Sequence, residues 1–329
     1  MGKKFVIAVA GVLWIAASGI WVFLGGKPQK FILPERKITF ISPMANSGYW
    51  GNVAGGIIDR GEQYNIHVKC VGFSELNIEK QVYALENAIL SGVDGIVTVA
   101  YEDSDTFREA MKSAEKADIP VIFVDSYIPG LGQLCYVGSD NFHAGELAGE
   151  TLAQECDGKA KVAIITSYSS NANQAERIAG FKEALKSYPE MKIVEILEGQ
   201  SKTILLKERI MQMLEEQPDI NALFCSEGYG TSSIGYLLQE NKEKLQYLKM
   251  VLFDGSQLIN QMVETEESMA VVRQKPYEMG CEAIQVLQEY FSDGGNGIRD
   301  QYIDVAVFDQ DNIVNSGYMV REDILWHMY

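Results

Sequence analysis

The chain has 329 residues, which is enough for two domains of roughly 100–200 residues and a short additional segment. Apolar residues make up 47% and charged residues 22%, so the composition is that of a globular protein and excludes a disordered or collagen-like chain. The formal net charge of −17 argues against nucleic-acid and anionic-lipid surfaces as partners, because both are bound by clustered Lys and Arg. The five cysteines are widely spaced, which is not the pattern of a disulfide scaffold or a zinc site.

The first apolar segment, residues 5–24, has no charged side chain and follows Lys3 and Lys4. Its length of about 20 residues is enough to cross a hydrocarbon core about 30 Å thick. The segment continues beyond the small residues 16–19, where a signal peptidase could cut. We therefore predict an uncleaved signal-anchor over residues 1–26, with a cleaved signal peptide as the alternative. Basic residues also follow the segment, so charge counting does not by itself favour a cytoplasmic N-terminus.

A predicted linker over residues 27–36 leads into an alternation of apolar, strand-like runs and amphipathic, helix-like runs. The predicted strands are 37–42, 67–72, 95–99, 120–124, 161–166, 193–197, 222–225, 250–253 and a last run at 303–307. The predicted helices are 50–64, 77–91, 103–117, 141–153, 173–187, 205–216, 230–240, 257–264 and 277–290. Such βαβ alternation predicts an α/β fold in two lobes, each with a parallel sheet covered by helices.

Ligands of such sheets bind beyond the carboxyl ends of the strands, so the loops that follow strands are where a site is expected. These loops carry an amide, two aromatic rings and three carboxylates, and a helix adds a guanidinium. The candidates are Asn46, Tyr49, Trp50, Asp125, Arg177, Glu227 and Asp254. Aromatic faces can cover the C–H faces of a sugar, while carboxylates and a guanidinium pair with its hydroxyls.

Each of these residues also has a structural explanation. Trp50 can belong to the core, Asp125 and Asp254 can be turn residues or helix caps, and Arg177 can be a solvated charge.

Several segments match a known family in their order and spacing. From residue 37 to about residue 311 the chain resembles the type I periplasmic sugar-binding proteins, the ribose-binding protein group, which share their core with the ligand domain of lac-repressor-type regulators. The segments that carry the resemblance are ITFISPMANSGYW, GVDGIVTVAYEDSD, ADIPVIFVDS, YVGSDNFHAGELAG, NQAERIAGF, VLFDGS and VVRQKPYEMG.

The resemblance implies an α/β fold of two Rossmann-like lobes joined by a three-stranded hinge near Ser139, Gln274 and Ile303, preceded here by one N-terminal transmembrane helix. The implied lobes are 37–139 with 275–303 and 140–274 with 304–313, followed by a tail over 314–329. The resemblance also implies that the binding domain lies outside the cytoplasmic membrane and closes on a sugar.

By resemblance, Tyr49 and Trp50 are stacking aromatics, and the implied polar ligand contacts are Asn46, Asp125, Arg177, Glu227, Asp254 and Gln274. No catalytic residue, metal or cofactor is implied. The chain departs from the family at two positions: Ser126 follows Asp125 where the family often has Arg, and Glu227 with Gly228 stands where it commonly has Asn-Asp. The resulting excess of carboxylates predicts a donor-rich neutral polyol or a ligand that carries an amine.

Two partners remain open for a sugar-binding protein of this kind. One is the permease of an ABC importer, and the other is a membrane sensor such as a histidine kinase, which suits an uncleaved anchor. An enzyme is not expected, because the chain has no GxSxG, HExxH, P-loop or strand-linked GxGxxG motif. A transcription regulator is excluded, since the apolar segment occupies the place of the DNA-reading helices.

Overall fold

Two β-sheets with helices around them form the described part of the chain. The computed structural model describes residues 36–45, 48–199, 203–255, 257–265, 269–313 and 324–328. In each sheet the buried side chains of a strand alternate between two hydrophobic clusters, one on each face. For example, Val162 and Ile164 belong to one cluster, and Ala163 and Ile165 to the other. Each sheet is therefore buried on both sides, as the βαβ alternation predicts.

The first sheet has seven described strands. They are β1 (Arg36–Ile41), β2 (Ile66–Gly72), β3 (Gly95–Thr98), β4 (Val121–Val124), β5 (Cys135–Ser139), β11 (Gln301–Ile303) and β13 (Trp326–Met328). Their order is β11-β5-β4-β3-β1-β2-β13, and all of the pairs are parallel. The helices that pack with this sheet are α1 (Gly48–Gln63), α2 (Ile78–Leu90), α3 (Asp105–Lys116) and α9 (Pro276–Asp293).

The second sheet has six described strands. They are β6 (Lys159–Thr166), β7 (Glu190–Glu198), β8 (Ala222–Cys225), β9 (Lys249–Phe253), β10 (Met269–Arg273) and β12 (Ala306–Phe308). The order β12-β10-β9-β8-β6-β7 repeats the order of the first sheet, and only the β10–β12 pair is antiparallel. Its helices are α4 (Asn141–Glu155), α5 (Ala172–Ala184), α6 (Thr203–Glu216), α7 (Gly228–Leu245) and α8 (Gln257–Val263), and a short 3-10 helix (Leu185–Ser187) follows α5.

From β1 to β12 the chain passes between the two sheets at three points. It leaves the first sheet after β5 and returns after β10, and it crosses again between β11 and β12. The single strand predicted over residues 303–307 is therefore wrong: this run is two short strands, and each joins a different sheet. Asp304 and Val305 span the crossing, so an apolar pattern read along the run could not reveal the break.

Two pairs of helices cross closely enough to need glycine at the contact. On α4, a Cβ added to Gly145 would lie 2.0 Å from the carbonyl oxygen of Arg177 on α5. On α5, a Cβ added to Gly180 would lie 1.9 Å from the carbonyl oxygen of Phe142. Gly56 on α1 and Gly280 on α9 meet in the same way in the other lobe. The α4–α5 crossing matters for the site, because Arg177 lies on it.

The C-terminal residues 324–328 return to the first sheet, although the sequence predicts only a tail there. Strand β13 pairs in parallel with β2, and the ring of Trp326 lies 6.2 Å from that of Phe40, centroid to centroid. In the part of the chain that the structure describes, no helix has both the length and the apolar character needed to cross a membrane. The predicted anchor over residues 1–26 lies outside the described residues.

Candidate ligand-binding cleft

The carboxyl ends of the strands of both sheets border one cavity of about 1340 Å³. Seven of the eight predicted site residues line it, and the eighth, Asn46, lies outside the described residues. These seven are Tyr49, Trp50, Asp125, Arg177, Glu227, Asp254 and Gln274. The topology explains this arrangement, since residues that follow parallel strands of one sheet all emerge at the same edge.

Asp125 is the buried acid of the first lobe. It directly follows β4, its backbone has a positive φ of 66°, and only 5% of the residue is exposed. The hydroxyl of Tyr49 donates to its Oδ1 at 2.6 Å, and that of Tyr101 donates to its Oδ2 at 3.4 Å. Burial raises the pKa of Asp125, while the hydrogen bond from Tyr49 and the charge of Arg177 oppose the rise.

Asp254 holds the equivalent position in the second lobe. It directly follows β9, the counterpart of β4 in the repeated strand order, and its φ is 59°. The backbone N–H of Asp254 donates to Val272 on β10 at 2.8 Å, just as that of Asp125 donates to Val137 on β5 at 3.1 Å. Positive φ is uncommon outside glycine but is tolerated by Asp, and such backbone is often found at functional sites.

The aromatic pair at the start of α1 is largely packed into the protein. Trp50 is 7% exposed and belongs to the core cluster of the first lobe, and its ring meets that of Tyr49 edge-on with centroids 5.1 Å apart. Both residues nevertheless line the cleft. Trp50 is therefore a core residue that also lines the cleft, and its role as a ligand contact stays a prediction.

Arg177 differs most from its predicted role as a hydroxyl-binding guanidinium. It is 2% exposed, and each of its three nitrogens donates to the protein at 2.9 Å: Nε to Asn141, Nη1 to the carbonyl of Ser226 and Nη2 to Gln274. Its guanidinium also stacks 3.8 Å above the ring of Phe253. A guanidinium has five N–H donors, so two remain to face a ligand. The alternative of a solvated charge is wrong, since the side chain is buried.

Gln274 bonds to a residue at a crossing between the lobes and to the charged side chains of Arg177 and Asp254. Its Oε1 accepts from the hydroxyl of Ser139 at 3.0 Å and from Arg177, and its Nε2 donates to Asp254 at 3.1 Å. Ser139 ends β5 and Gln274 follows β10, so this one amide ties two of the three chain crossings together. Gln274 therefore links these crossings directly to Arg177 and Asp254.

Glu227 caps the N-terminus of α7. Its two carboxyl oxygens accept from the backbone N–H groups of Tyr229 and Gly230, both at 2.7 Å. Burial raises the pKa of Glu227, and these two backbone donors oppose the rise. The positive end of the helix dipole also favours the charged form. The carboxylate is thus fixed in place where it lines the cleft.

Among the described residues, side chains from the two lobes meet across the cleft. The hydroxyl of Tyr127 donates to Glu176 on α5 at 3.3 Å, and that of Tyr229 on α7 lies 3.9 Å from the sulfur of Met44. Burial is the main reason that the pKa of Tyr127 rises to about 12, and the nearby carboxylate of Glu176 adds to it.

The sequence analysis missed several lining residues, among them Tyr101 and Ser167. Tyr101 lies shortly after β3 and Ser167 directly after β6, so the same strand-end rule could have found them. Tyrosine and serine are common on loops, however, and nothing in their local sequence separates these two from others. In the part of the chain described, no group of His, Cys, Asp and Glu side chains is arranged to hold a metal ion.

Comparison with known proteins identifies the family. The sequence pattern of the periplasmic binding protein domain matches residues 38–296. The D-ribose/D-allose-binding protein of Pseudomonas aeruginosa is 30% identical over 207 residues, which are 61% of this chain and 64% of that protein.

Solved structures share the fold over most of its length. GanP, a glucose-galactose binding protein from Geobacillus stearothermophilus, is 25% identical with a TM-score of 0.78, over 85% of this chain and 99% of that one. XylFII in the XylFII-LytSN complex is likewise 25% identical with a TM-score of 0.74, over 84% and 98% of the two chains. The resemblance to type I periplasmic binding proteins is thereby confirmed. The chain therefore belongs to the periplasmic binding protein family, whose members bind solutes outside the cytoplasmic membrane and are not enzymes.

Proposed function

We propose that this chain binds a monosaccharide in the cleft between its two lobes and closes on it. The lobes of this proposal are residues 37–139 with 275–303, and 140–274 with 304–313. One observation carries it: acids, an amide, a guanidinium and aromatic rings from both lobes line a single cavity. The sugars named for the Pseudomonas and Geobacillus relatives support the same ligand class.

The charge of the cleft favours ligands rich in hydrogen-bond donors. Asp125, Glu227 and Asp254 line it together with Arg177, so acceptor-only carboxylates outnumber the cationic group. Sugar hydroxyls donate to such carboxylates without bringing a charge of their own. We therefore expect neutral pentoses or hexoses to bind, with micromolar affinity, or about −8 kcal/mol.

Screening of the full-length chain in detergent by thermal shift, followed by calorimetry, tests the proposal. The panel contains pentoses, hexoses, amino sugars and furanosyl compounds. With the tightest ligand, Asp254→Ala should lose about 1.5–3 kcal/mol of binding free energy, because charged hydrogen bonds are removed. Binding of no sugar in the panel, or unchanged affinity in Asp254→Ala, would contradict the proposal.

The sugar-bound protein could serve one of two roles, import or sensing. As a component of an ABC importer, the closed form would deliver its sugar to a permease. As a sensor, the closed form would be read by a fixed membrane partner such as a histidine kinase. The uncharged segment 5–24 favours the sensor, since a tethered protein suits a stationary complex. This chain is similar to XylFII, which was solved in complex with LytSN, and this similarity supports a dedicated protein partner for a tethered sensor. In both roles the partner must favour the closed state.

A further inference from the structure

Ser167 presents a buried hydroxyl without a partner. It directly follows β6, is 1% exposed and lines the cleft. Among the described residues only two buried polar side-chain atoms have no hydrogen-bond partner, namely Ser167 Oγ and, away from the cleft, Arg60 Nε. A buried hydroxyl that has no partner is energetically unfavourable. Such a group in a ligand cleft calls for a partner supplied by the ligand.

The neighbours of Ser167 show that this loop otherwise satisfies its polar groups. The hydroxyl of Thr166 donates to Gln174, and the hydroxyl of Ser226 donates to Thr166 at 2.8 Å. The backbone N–H of Ser167 donates to the same Gln174 oxygen at 3.0 Å. Only the side chain of Ser167 is left out of this network, and it faces the cleft.

Glu227 provides the complementary group. The Ser167 hydroxyl is near enough to the carboxyl of Glu227 to oppose the rise in its pKa, yet it forms no hydrogen bond of ordinary geometry with it. Each oxygen of Glu227 already accepts one backbone N–H at the start of α7, which fixes the carboxylate and leaves lone pairs for a second donor. A fixed acceptor and an unpaired hydroxyl thus border the same part of the cavity.

We propose that Ser167 and Glu227 form a subsite for one hydroxyl group of the ligand, which donates to Glu227 and exchanges a hydrogen bond with Ser167. The inference rests on the proposed sugar-binding function and adds a specificity rule to it. A hydroxyl is both donor and acceptor, so it satisfies both protein groups. An ether oxygen, a carbonyl or a missing hydroxyl at that position leaves the Glu227 carboxylate without a donor from the ligand, so such ligands are rejected.

The test compares the full-length protein, Ser167→Ala, Glu227→Gln and the control Ser233→Ala. Ser233 is as buried as Ser167 but lies outside the lining of the cleft, and its hydroxyl is already bonded to the carbonyl of Tyr229 at 2.9 Å. Calorimetry measures the affinity for the tightest sugar of the panel and for each of its monodeoxy analogues. Thermal unfolding without ligand shows whether each variant is folded.

We expect Ser167→Ala to lower the affinity for the parent sugar about tenfold. The melting temperature without ligand should be unchanged or higher, because no hydrogen bond within the protein is lost. Ser233→Ala should bind the parent sugar as the wild type does. One monodeoxy analogue should bind the wild type more weakly than the parent sugar does, and Ser167→Ala should not weaken its binding further. Glu227→Gln should bind that same analogue as tightly as it binds the parent sugar.

Three results would overturn the subsite. Ser167→Ala could bind the parent sugar as tightly as Ser233→Ala does. It could instead weaken the binding of every analogue by the same factor. Finally, Glu227→Gln could bind a different analogue as tightly as it binds the parent sugar. In each case the wild type still binds sugar, so the proposed function stands and the subsite alone fails. If the wild type binds no sugar at all, the proposed function fails and the subsite fails with it.

Discussion

The two acids that end equivalent strands, Asp125 and Asp254, combine left-handed backbone with positions that face the cleft. Positive φ is unfavourable for folding in both residues, since non-glycine residues there are strained. At Asp125 the carboxylate is also buried and loses its hydration. A protein selected for stability alone would have Gly or Asn at such positions. We interpret the two acids as residues retained for ligand binding at the expense of stability.

Asp125→Asn should therefore stabilise the ligand-free protein at neutral pH while it weakens sugar binding. Because burial raises the pKa of Asp125, the folded state favours the protonated acid. The stability associated with that proton is complete below the ordinary carboxyl pKa of about 4 and is lost as pH rises through the raised pKa. The neutral amide escapes this loss.

Thermal unfolding of both proteins as a function of pH measures the effect. At pH 7.5 Asp125→Asn should melt a few degrees higher than the wild type, and the difference should shrink as the pH approaches 4. The opposite trend, with the advantage of the variant growing as pH falls, would show that Asp125 is stabilised in its charged form by Tyr49 and Tyr101.

At the scale of single residues, the sequence predicts which side chains lie together but not which hydrogen bonds they form. Position at a strand end is a topological property, so Asp125, Glu227 and Asp254 could be assigned to one edge from the alternation of elements alone. The engagement of all three Arg177 nitrogens could not be predicted, because it depends on Asn141 and Gln274, which reach it from other elements. For the same reason, no sequence pattern predicts that the Ser167 hydroxyl lacks a hydrogen-bond partner.

Among the helices, the contact between α4 and α5 positions the site most directly. Gly145 allows α4 to touch the backbone of α5 at Arg177, whose guanidinium then reaches Asn141 at the start of α4. A side chain at Gly145 would push the helices apart at Arg177, which bonds to Gln274 at the crossing between the lobes. The crossing thus couples helix packing to ligand binding.

Gly145→Ala should destabilise the protein by about 3 kcal/mol, because the added methyl group meets rigid backbone. It should also weaken sugar binding, since Arg177 moves with the backbone. Gly51→Ala on α1 is the matched control: no described atom lies within 4 Å of the added Cβ, and alanine in a helix interior gains about 0.5–1 kcal/mol over glycine. Urea unfolding compares the two, and equal midpoints would show that the α4–α5 contact yields easily.

Strand β13 shows where periodicity fails as a predictor of elements. Three residues are too few for an alternating pattern, and their pairing with β2 is set by a partner more than 250 residues away in the chain. The strand at Cys135–Ser139, which the sequence analysis also lacks, is short and has a serine at its end. Long periodic helices such as α2 and α9 were predicted to within a few residues of their bounds.

Trp326→Ala tests whether β13 contributes to stability. The indole lies against Phe40 and beside Gly72 of β2, so its loss should lower the free energy of unfolding by about 2 kcal/mol. Leu325→Ala is the control, since Leu325 is 77% exposed and surface substitutions usually change stability by less than about 0.5 kcal/mol. Urea midpoints that match between the two variants would mean that β13 only covers the sheet edge.

For the whole molecule, the repeated strand order makes each lobe a half-site. Asp125 and Tyr49 come from one half, and Arg177, Glu227 and Asp254 from the other, so a ligand that binds all of them must hold the halves together. Gln274 lies at the crossings and bonds to both Arg177 and Asp254. Under the proposed function, ligand binding therefore favours closure of the two lobes. Which partner recognises the closed form depends on where the protein is held.

Whether residues 1–26 are retained or cleaved distinguishes a membrane sensor from an importer permease as the partner. If the segment is retained, the full-length protein should remain in the membrane fraction after alkaline washing, and its N-terminal sequence should begin at the first residues of the chain. A tether keeps the closed form beside one fixed partner, which is the arrangement that a sensor requires and a diffusing importer component does not. A chain that starts at residue 27 should bind the same sugar with the same affinity, because every proposed contact lies after that point. A mature start near Gly19 or Lys27 would contradict the anchor and leave delivery to a permease as the better explanation.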